Sequence, residues 1–162
     1  MNKKFILNLL IAFSFIALSF AYFVEFVLGH EPCNLCKIER IPYIGTIILI
    51  AFLIFTKKWE KSILIIVLLL FIFGAVTSIY HIGIEQGIFN ESLLCELGIN
   101  TNIQNTDELL KSLNKTPISC KDVTFKIFGL SLATFNAVLS ILISYILLML
   151  VLKKLKKQIK KL

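Results

Sequence analysis

Four long apolar runs constrain the fold of this chain more than any other feature. They cover residues 5–28, 41–56, 62–80 and 127–152, and a membrane-spanning helix needs roughly 20 such residues. The sequence is 57% hydrophobic, compared with about 45–50% in an ordinary soluble domain. We therefore predict an all-α membrane protein, in which four transmembrane helices form a single bundle domain over residues 1–162.

Most of the basic residues are expected at one end of these helices. Eleven of the 17 Lys and Arg residues lie in the N-terminus, in the turn between the second and third runs, and in the tail. By the positive-inside rule, both termini face the cytoplasm, and the loops at about 29–40 and 81–126 face outward. The net charge of +7 then reflects membrane topology. We expect contact with the lipid bilayer and no nucleic-acid partner.

The first apolar run also resembles a secretory signal, because it follows Lys3 and Lys4 and contains Ser19 and Ala21, small residues that could flank a cleavage site. However, it continues to Leu28, which exceeds the apolar core of about 7–15 residues that signals usually have. Cleavage would also reverse the charge bias of the remaining helices. We expect this helix to be retained.

The long outer loop contains a pattern typical of a short helix. Asn105 can cap a helix start, and Glu108 follows three residues later. Leu109, Leu110 and Leu113 would then share one face, which predicts a short amphipathic helix on the membrane surface. The alternative is an irregular loop with three incidental leucines.

Cys33 and Cys36 form a Cys-x-x-Cys pair where the chain enters the second apolar run. Such a pair is a redox dithiol or half a metal site. A cysteine at a helix N-terminus lies near unpaired N–H groups, which favour the thiolate. Arg40 follows Cys36 by one helical turn, and its charge would favour a thiolate and attract a developing quinone oxyanion.

Three other interpretations compete with redox chemistry at this pair. It could be half a zinc site, completed by Cys95 and Cys120 or by a histidine, but the second pair lacks the usual close spacing, so we expect no metal. The disulfides could be purely structural, although a Cys-x-x-Cys ring gains little from loop closure. Arg40 could be an interfacial anchor that reaches lipid headgroups.

Cys95 and Cys120 lie in the long outer loop. A disulfide between them is sterically easy and would stabilise a loop with little core of its own. Its exposure would leave it open to an outside thiolate. Two disulfides on one face of the membrane permit an electron relay by thiol–disulfide exchange.

Two histidines lie on the same predicted side as the cysteines. His81 ends the third run and is a candidate hydrogen-bond donor or proton relay near a quinone, or else an interfacial residue. His30, three residues before Cys33, is a weaker candidate of the same kind. We interpret Glu85 as a solvated loop acid.

The chain resembles the DsbB family of bacterial inner-membrane thiol oxidases over nearly its whole length. The resemblance rests on the four spans and on three stretches: CNLCKIERIPY at 33–43, YHIGIE at 80–85, and FGLSLA at 128–133, which leads into Asn136. The separated cysteine pair in the long loop also matches.

This resemblance implies a protein-dithiol:quinone oxidoreductase that sustains disulfide bond formation. A soluble periplasmic DsbA-like protein would attack a Cys95–Cys120 disulfide at Cys95, and Cys120 would pass the electrons to Cys33. Cys36, paired with Cys33, would donate them to membrane quinone. Arg40 would stabilise the thiolate and the reduced quinone, with His81 as a further quinone contact.

The sequence leaves the quinone open, either ubiquinone or menaquinone. A second enzyme class, quinone reductases of the vitamin K type, carries its Cys-x-x-Cys at a late span, unlike this chain. The alternative from another class is a non-catalytic membrane anchor or assembly protein whose disulfides are structural.

Overall fold

Four long helices run through the part of the chain described by the structure, a computed structural model. That part comprises residues 3–56, 59–91, 95, 119–121, 125–127 and 129–159. The chain order is α1 (Lys3–Phe26), α2 (Asn34–Ile38), α3 (Ile41–Thr56), α4 (Glu60–Glu85), β1 (Lys126–Ile127), β2 (Leu130–Ser131) and α5 (Leu132–Ile159). Among these residues, four helical segments are long and apolar enough to cross a membrane. The predicted all-α, four-helix membrane bundle is therefore confirmed.

The second span is broken into α2 and α3 at Glu39 and Arg40. Pro42 has no N–H group, so it cannot bond to the carbonyl of Ile38 as a continuous helix requires. The backbone instead forms a tighter turn, in which the Arg40 N–H donates to the Lys37 carbonyl at 3.2 Å. As a result, Glu39 and Arg40 lie at a joint inside a span.

The helix limits differ from the sequence prediction near the outer loops. α1 ends at Phe26, and the chain turns at Gly29, whose φ of 71° suits a residue without a Cβ. α4 continues past residue 80 to Glu85. α5 begins at Leu132, because β1 and β2 before it form an antiparallel pair, with Gly129 at a positive φ preceding β2. The amphipathic helix expected near residues 105–113 lies outside the described residues.

The bundle core forms between α1, α3, α4 and α5. Ile50, Val67, Phe71 and Leu147 are fully buried there. Gly74 lets α3 and α4 pack closely, since a Cβ at that position would lie 3.0 Å from the Pro42 ring. Many large apolar side chains point outward, as expected of helices that meet lipid on their outer faces.

Candidate redox site

Cys33 and Cys36 lie at the start of α2. Cys33 occupies the N-cap position, where its sulfur accepts a hydrogen bond from the backbone N–H of Cys36 at 3.3 Å. The two Sγ atoms are 2.9 Å apart, and both residues are free thiols. Cys33 is buried and Cys36 is partly buried. This arrangement is a dithiol in which one sulfur faces a helix N-terminus.

The local contacts of Cys33, which precedes the second span, favour its thiolate. The hydrogen bond with the Cys36 thiol lowers the pKa of Cys33, and the contact with His81 acts in the same direction, whereas burial opposes it. Because the thiolate is the attacking species in exchange, Cys33 is the more nucleophilic sulfur in this arrangement.

His81 connects this dithiol to a buried carboxylate. Its Nε2 lies 3.5 Å from Cys33 Sγ, and its Nδ1 lies 2.9 Å from Glu39 Oε1. A carboxylate only accepts hydrogen bonds, so Nδ1 is the donor and Nε2 faces the sulfur. His81 and Glu39 are both buried. The sequence prediction placed His81 at the end of a span, but it lies within α4.

Glu39 belongs to a polar network that joins three helices. Asn136 on α5 donates from Nδ2 to Glu39 Oε2 at 3.0 Å and to Ser78 Oγ at 2.7 Å. The Tyr43 hydroxyl of α3 donates to Asn136 Oδ1. Buried polar groups are costly unless they are paired, and each of these has a partner. The network therefore fixes Glu39, which in turn orients His81.

Arg40 makes contacts with α1. Its Nη1 pairs with Glu25 Oε2 at 2.5 Å, and its guanidinium lies 4.8 Å from the centre of the Tyr22 ring. Arg40 also lines the cavity described below. The structure thus places it beside the site, with part of its charge already balanced by Glu25.

Cys95 and Cys120 form a disulfide, with their Cα atoms 5.9 Å apart. Both are buried in one apolar cluster with Cys33, and Cys36 packs against this cluster, so the exposed disulfide expected from the sequence is wrong. Asn34 in α2 donates from Nδ2 to the Cys95 carbonyl at 3.0 Å. The structure therefore brings the loop pair next to the Cys-x-x-Cys pair.

A cavity of about 310 Å³ opens beside the dithiol. Its walls are mostly apolar side chains of α1 and α5, including Ala17, Ala21, Val24, Leu132 and Leu139. Its polar lining comes from a separate set, which consists of His30, Cys33, Cys36, Glu39, Arg40, Tyr43, His81, Glu85 and Asn136. An apolar pocket with a few convergent polar groups is the usual form of a small-molecule site.

One of two further residues near the cavity, Glu85, differs from its sequence interpretation. Glu85 is the last residue of α4, and its side chain is only 11% exposed, so the interpretation as a solvated loop acid is wrong. Its Oε1 lies 3.8 Å from His81 Nε2. His30 lines the cavity and packs against the Phe125 ring, with centroids 5.3 Å apart.

Glu39 is the site residue that the sequence analysis missed. The local sequence pattern assigns it no role. A sequence signal was present, because an acidic residue next to a long uncharged span often has a function. Its partners at positions 81 and 136 could not be assigned from spacing alone.

Comparison with known proteins identifies the family. The family model for disulfide bond formation protein DsbB matches residues 3–150. A Rickettsia prowazekii (strain Madrid E) protein, "Uncharacterized protein RP370", is 34% identical over 141 residues, which cover 84% of this chain and 81% of that protein. No solved structure matches. The family match over residues 3–150 shows that the chain belongs to the DsbB family.

Proposed function

We propose that this protein is a protein-dithiol:quinone oxidoreductase that reoxidises a soluble DsbA-like thiol oxidant. Its family implies a disulfide-forming oxidoreductase in a membrane, and the four apolar helices suggest a multi-pass inner membrane protein. The observation that carries the proposal is the packing of Cys33 in one buried cluster with the Cys95–Cys120 disulfide, beside a cavity between the spans. The charge bias of the loops supports a periplasmic position for the cysteines.

The first half of the reaction is thiol–disulfide exchange. A thiolate of the reduced partner attacks Cys95, which forms a mixed disulfide and releases Cys120 as a thiolate. Cys120 then attacks Cys33 of an oxidised Cys33–Cys36 pair and releases Cys36. The second thiol of the partner then attacks the mixed disulfide and frees Cys95. Cys95 attacks Cys120 in the Cys120–Cys33 disulfide, which restores the Cys95–Cys120 bond and releases Cys33. Each step forms one S–S bond and breaks another, so the dithiol at positions 33 and 36 gains two electrons.

The residues around the cavity fit a quinone headgroup. An apolar ring suits the α1 and α5 walls, and the polar edge of the cavity offers Arg40 and His81 to carbonyl oxygens. When bound there, a quinone supplies an acceptor for two electrons and two protons. The identity of the ring, ubiquinone or menaquinone, would depend on this lining.

Side chains of the protein accept the proton that the dithiol releases. His81 Nε2 faces Cys33 Sγ at 3.5 Å, so the imidazole is the nearest base for the thiol proton. Glu39 accepts from Nδ1 at 2.9 Å and stabilises the imidazolium that results. Burial of both residues separates this transfer from bulk water.

Quinone reduction by the purified protein tests the proposal. With a reduced thioredoxin-like protein as donor and a short-chain quinone as acceptor, we expect Cys33→Ser and Cys36→Ser each to abolish turnover. Lys37→Ala is the matched control, because Lys37 is an exposed residue of the same short helix. Full activity in both cysteine variants would contradict the proposal and favour a non-catalytic membrane protein with structural disulfides.

A further inference from the structure

Three metal-ligand atoms converge at the start of α2. The sulfurs of Cys33 and Cys36 and a ring nitrogen of His81 all lie within 4.8 Å of one another. We propose that the reduced protein binds a divalent cation of borderline softness, with Zn²⁺ as the test ion, through these three residues. Of the two zinc sites considered from the sequence, this is the one completed by a histidine, because Cys95 and Cys120 are joined to each other. It reverses our expectation of no metal.

Two of the three ligand distances lie within about 1 Å of those around tetrahedral zinc. Zn–S bonds of about 2.3 Å and Zn–N bonds of about 2.0–2.1 Å place a sulfur and a nitrogen about 3.6 Å apart on one tetrahedral ion. The Cys33 Sγ–His81 Nε2 distance is 3.5 Å. Two sulfurs on one ion lie about 3.8 Å apart, so the Cys pair, at 2.9 Å, must open by about 1 Å. A side-chain rotation supplies that movement.

Glu39 gives His81 the orientation that metal-binding histidines usually have. Ligating imidazoles commonly donate their second N–H to a carboxylate, which fixes the ring and raises its basicity. His81 donates from Nδ1 to Glu39 Oε1 at 2.9 Å and points Nε2 at the sulfurs. Asn136 in turn holds Glu39. The imidazole is therefore positioned as a ligand before any ion arrives.

The charge balance also favours an ion at this depth. A lone dication is costly to bury, but two thiolates neutralise it. Binding replaces the two thiol protons with Zn²⁺ and releases both protons to solvent, with no change in oxidation state. The fourth position faces the cavity, where a water molecule or the nearby Glu85 carboxylate can complete the set.

Binding at this site depends on the redox state of the dithiol. Formation of a Cys33–Cys36 disulfide removes two of the three ligands, so only the reduced protein binds the ion. A bound ion in turn keeps the dithiol from forming a disulfide. A metal ion bound at this site thus inhibits the proposed reaction. The binding itself needs neither a quinone nor a protein partner.

Zinc titration of a protein that lacks the loop cysteines tests this inference. A variant with both Cys95→Ser and Cys120→Ser, reduced and in detergent, is titrated with Zn²⁺ against a chromophoric chelator. We expect one tight site per chain, and a thiolate–cobalt absorption band when Co²⁺ replaces Zn²⁺. The same protein with Cys33 and Cys36 oxidised is the matched control and should lose the site.

Substitutions at two histidines then assign the ligand. Loss of a ligand should weaken binding at least as much as loss of an outer hydrogen bond to a ligand, which typically costs about 10–100-fold. We therefore expect His81→Ala to weaken binding by that amount or more, and His30→Ala, on another wall of the cavity, to leave it unchanged. Cys36→Ser tests the site independently if His81→Ala does not fold. Equal affinity in the reduced and oxidised proteins, or equal losses at both histidines, would overturn the proposal.

Discussion

Asn136→Leu is the change that most directly tests the polar network under the redox site. Asn136 takes part in three partly buried hydrogen bonds, with Glu39, Ser78 and Tyr43. Leucine has a similar size, so packing is largely kept while the hydrogen bonds are lost. The side chains of Glu39 and Tyr43 would then lose a partner inside the bundle.

The expected cost follows from these three bonds. Hydrogen bonds between membrane helices average about 0.6 kcal/mol, whereas those to charged groups in proteins contribute about 1.5–3 kcal/mol. Two neutral bonds and one bond to the Glu39 carboxylate then give a loss of about 3 kcal/mol in the free energy of unfolding. That loss corresponds to about a hundredfold change in the unfolding equilibrium, at about 1.4 kcal/mol for each factor of ten.

Unfolding by sodium dodecyl sulfate in mixed micelles, followed by circular dichroism, measures this loss. Ser144→Ala is the control on the same helix, because the Ser144 hydroxyl is buried and has no hydrogen-bond partner among the described residues. It should change stability by less than about 0.5 kcal/mol. Tyr43→Phe combined with Asn136→Leu should cost less than the two single changes together. If Asn136→Leu proved as stable as Ser144→Ala, the network would contribute nothing and our account of Glu39 would fail.

Three further predictions concern the cavity, the helix packing and the loop cysteines. Arg40→Ala should raise the KM for quinone about tenfold or more, because a charged contact contributes about 1.5–3 kcal/mol, while the disulfides stay intact. Arg40→Lys should give an intermediate KM, and unchanged kinetics would make Arg40 an interfacial anchor. In the same detergent titration, Gly74→Val should lower stability by about 1–3 kcal/mol through overpacking. Val76→Leu on the exposed face should change stability by less than about 0.5 kcal/mol, and equal effects would refute the close approach at Gly74. Replacing Cys95 and Cys120 by serine should abolish oxidation of a protein dithiol but retain quinone reduction by dithiothreitol; protein oxidation at the wild-type rate would show that the loop pair is dispensable.

The fold could be predicted from the sequence because membrane spans leave a direct signal. A run of about 20 apolar residues has few alternatives to a helix in lipid. The ends of the helices were harder to predict, since the same residues can continue a helix or enter a loop. At residues 82–85 the chain continues α4, and this extension carries Glu85 into the bundle.

The site could be predicted only in part, because its contacts join distant parts of the chain. The cysteine pair and Arg40 stood out by local spacing. The contact between Glu39 and His81 spans 42 positions, and that between Glu39 and Asn136 spans 97. Such pairings depend on how the helices pack, and the sequence next to Glu39 does not specify its partners on α4 and α5. The broken second span had a visible cause in Pro42, yet its effect on Glu39 required the three-dimensional arrangement.

The order of the network residues along the chain has a consequence for biogenesis. Cys33 and Cys36 are synthesised early, and His81 follows with α4, but Asn136 arrives only with the last helix. Part of the cavity wall, including Leu132 and Leu139, also belongs to that helix. A chain that has inserted only three helices thus carries the reactive thiols without the completed pocket or the residue that fixes Glu39. Oxidase activity would then begin only when membrane insertion is finished, so an incomplete chain could not draw electrons from other proteins.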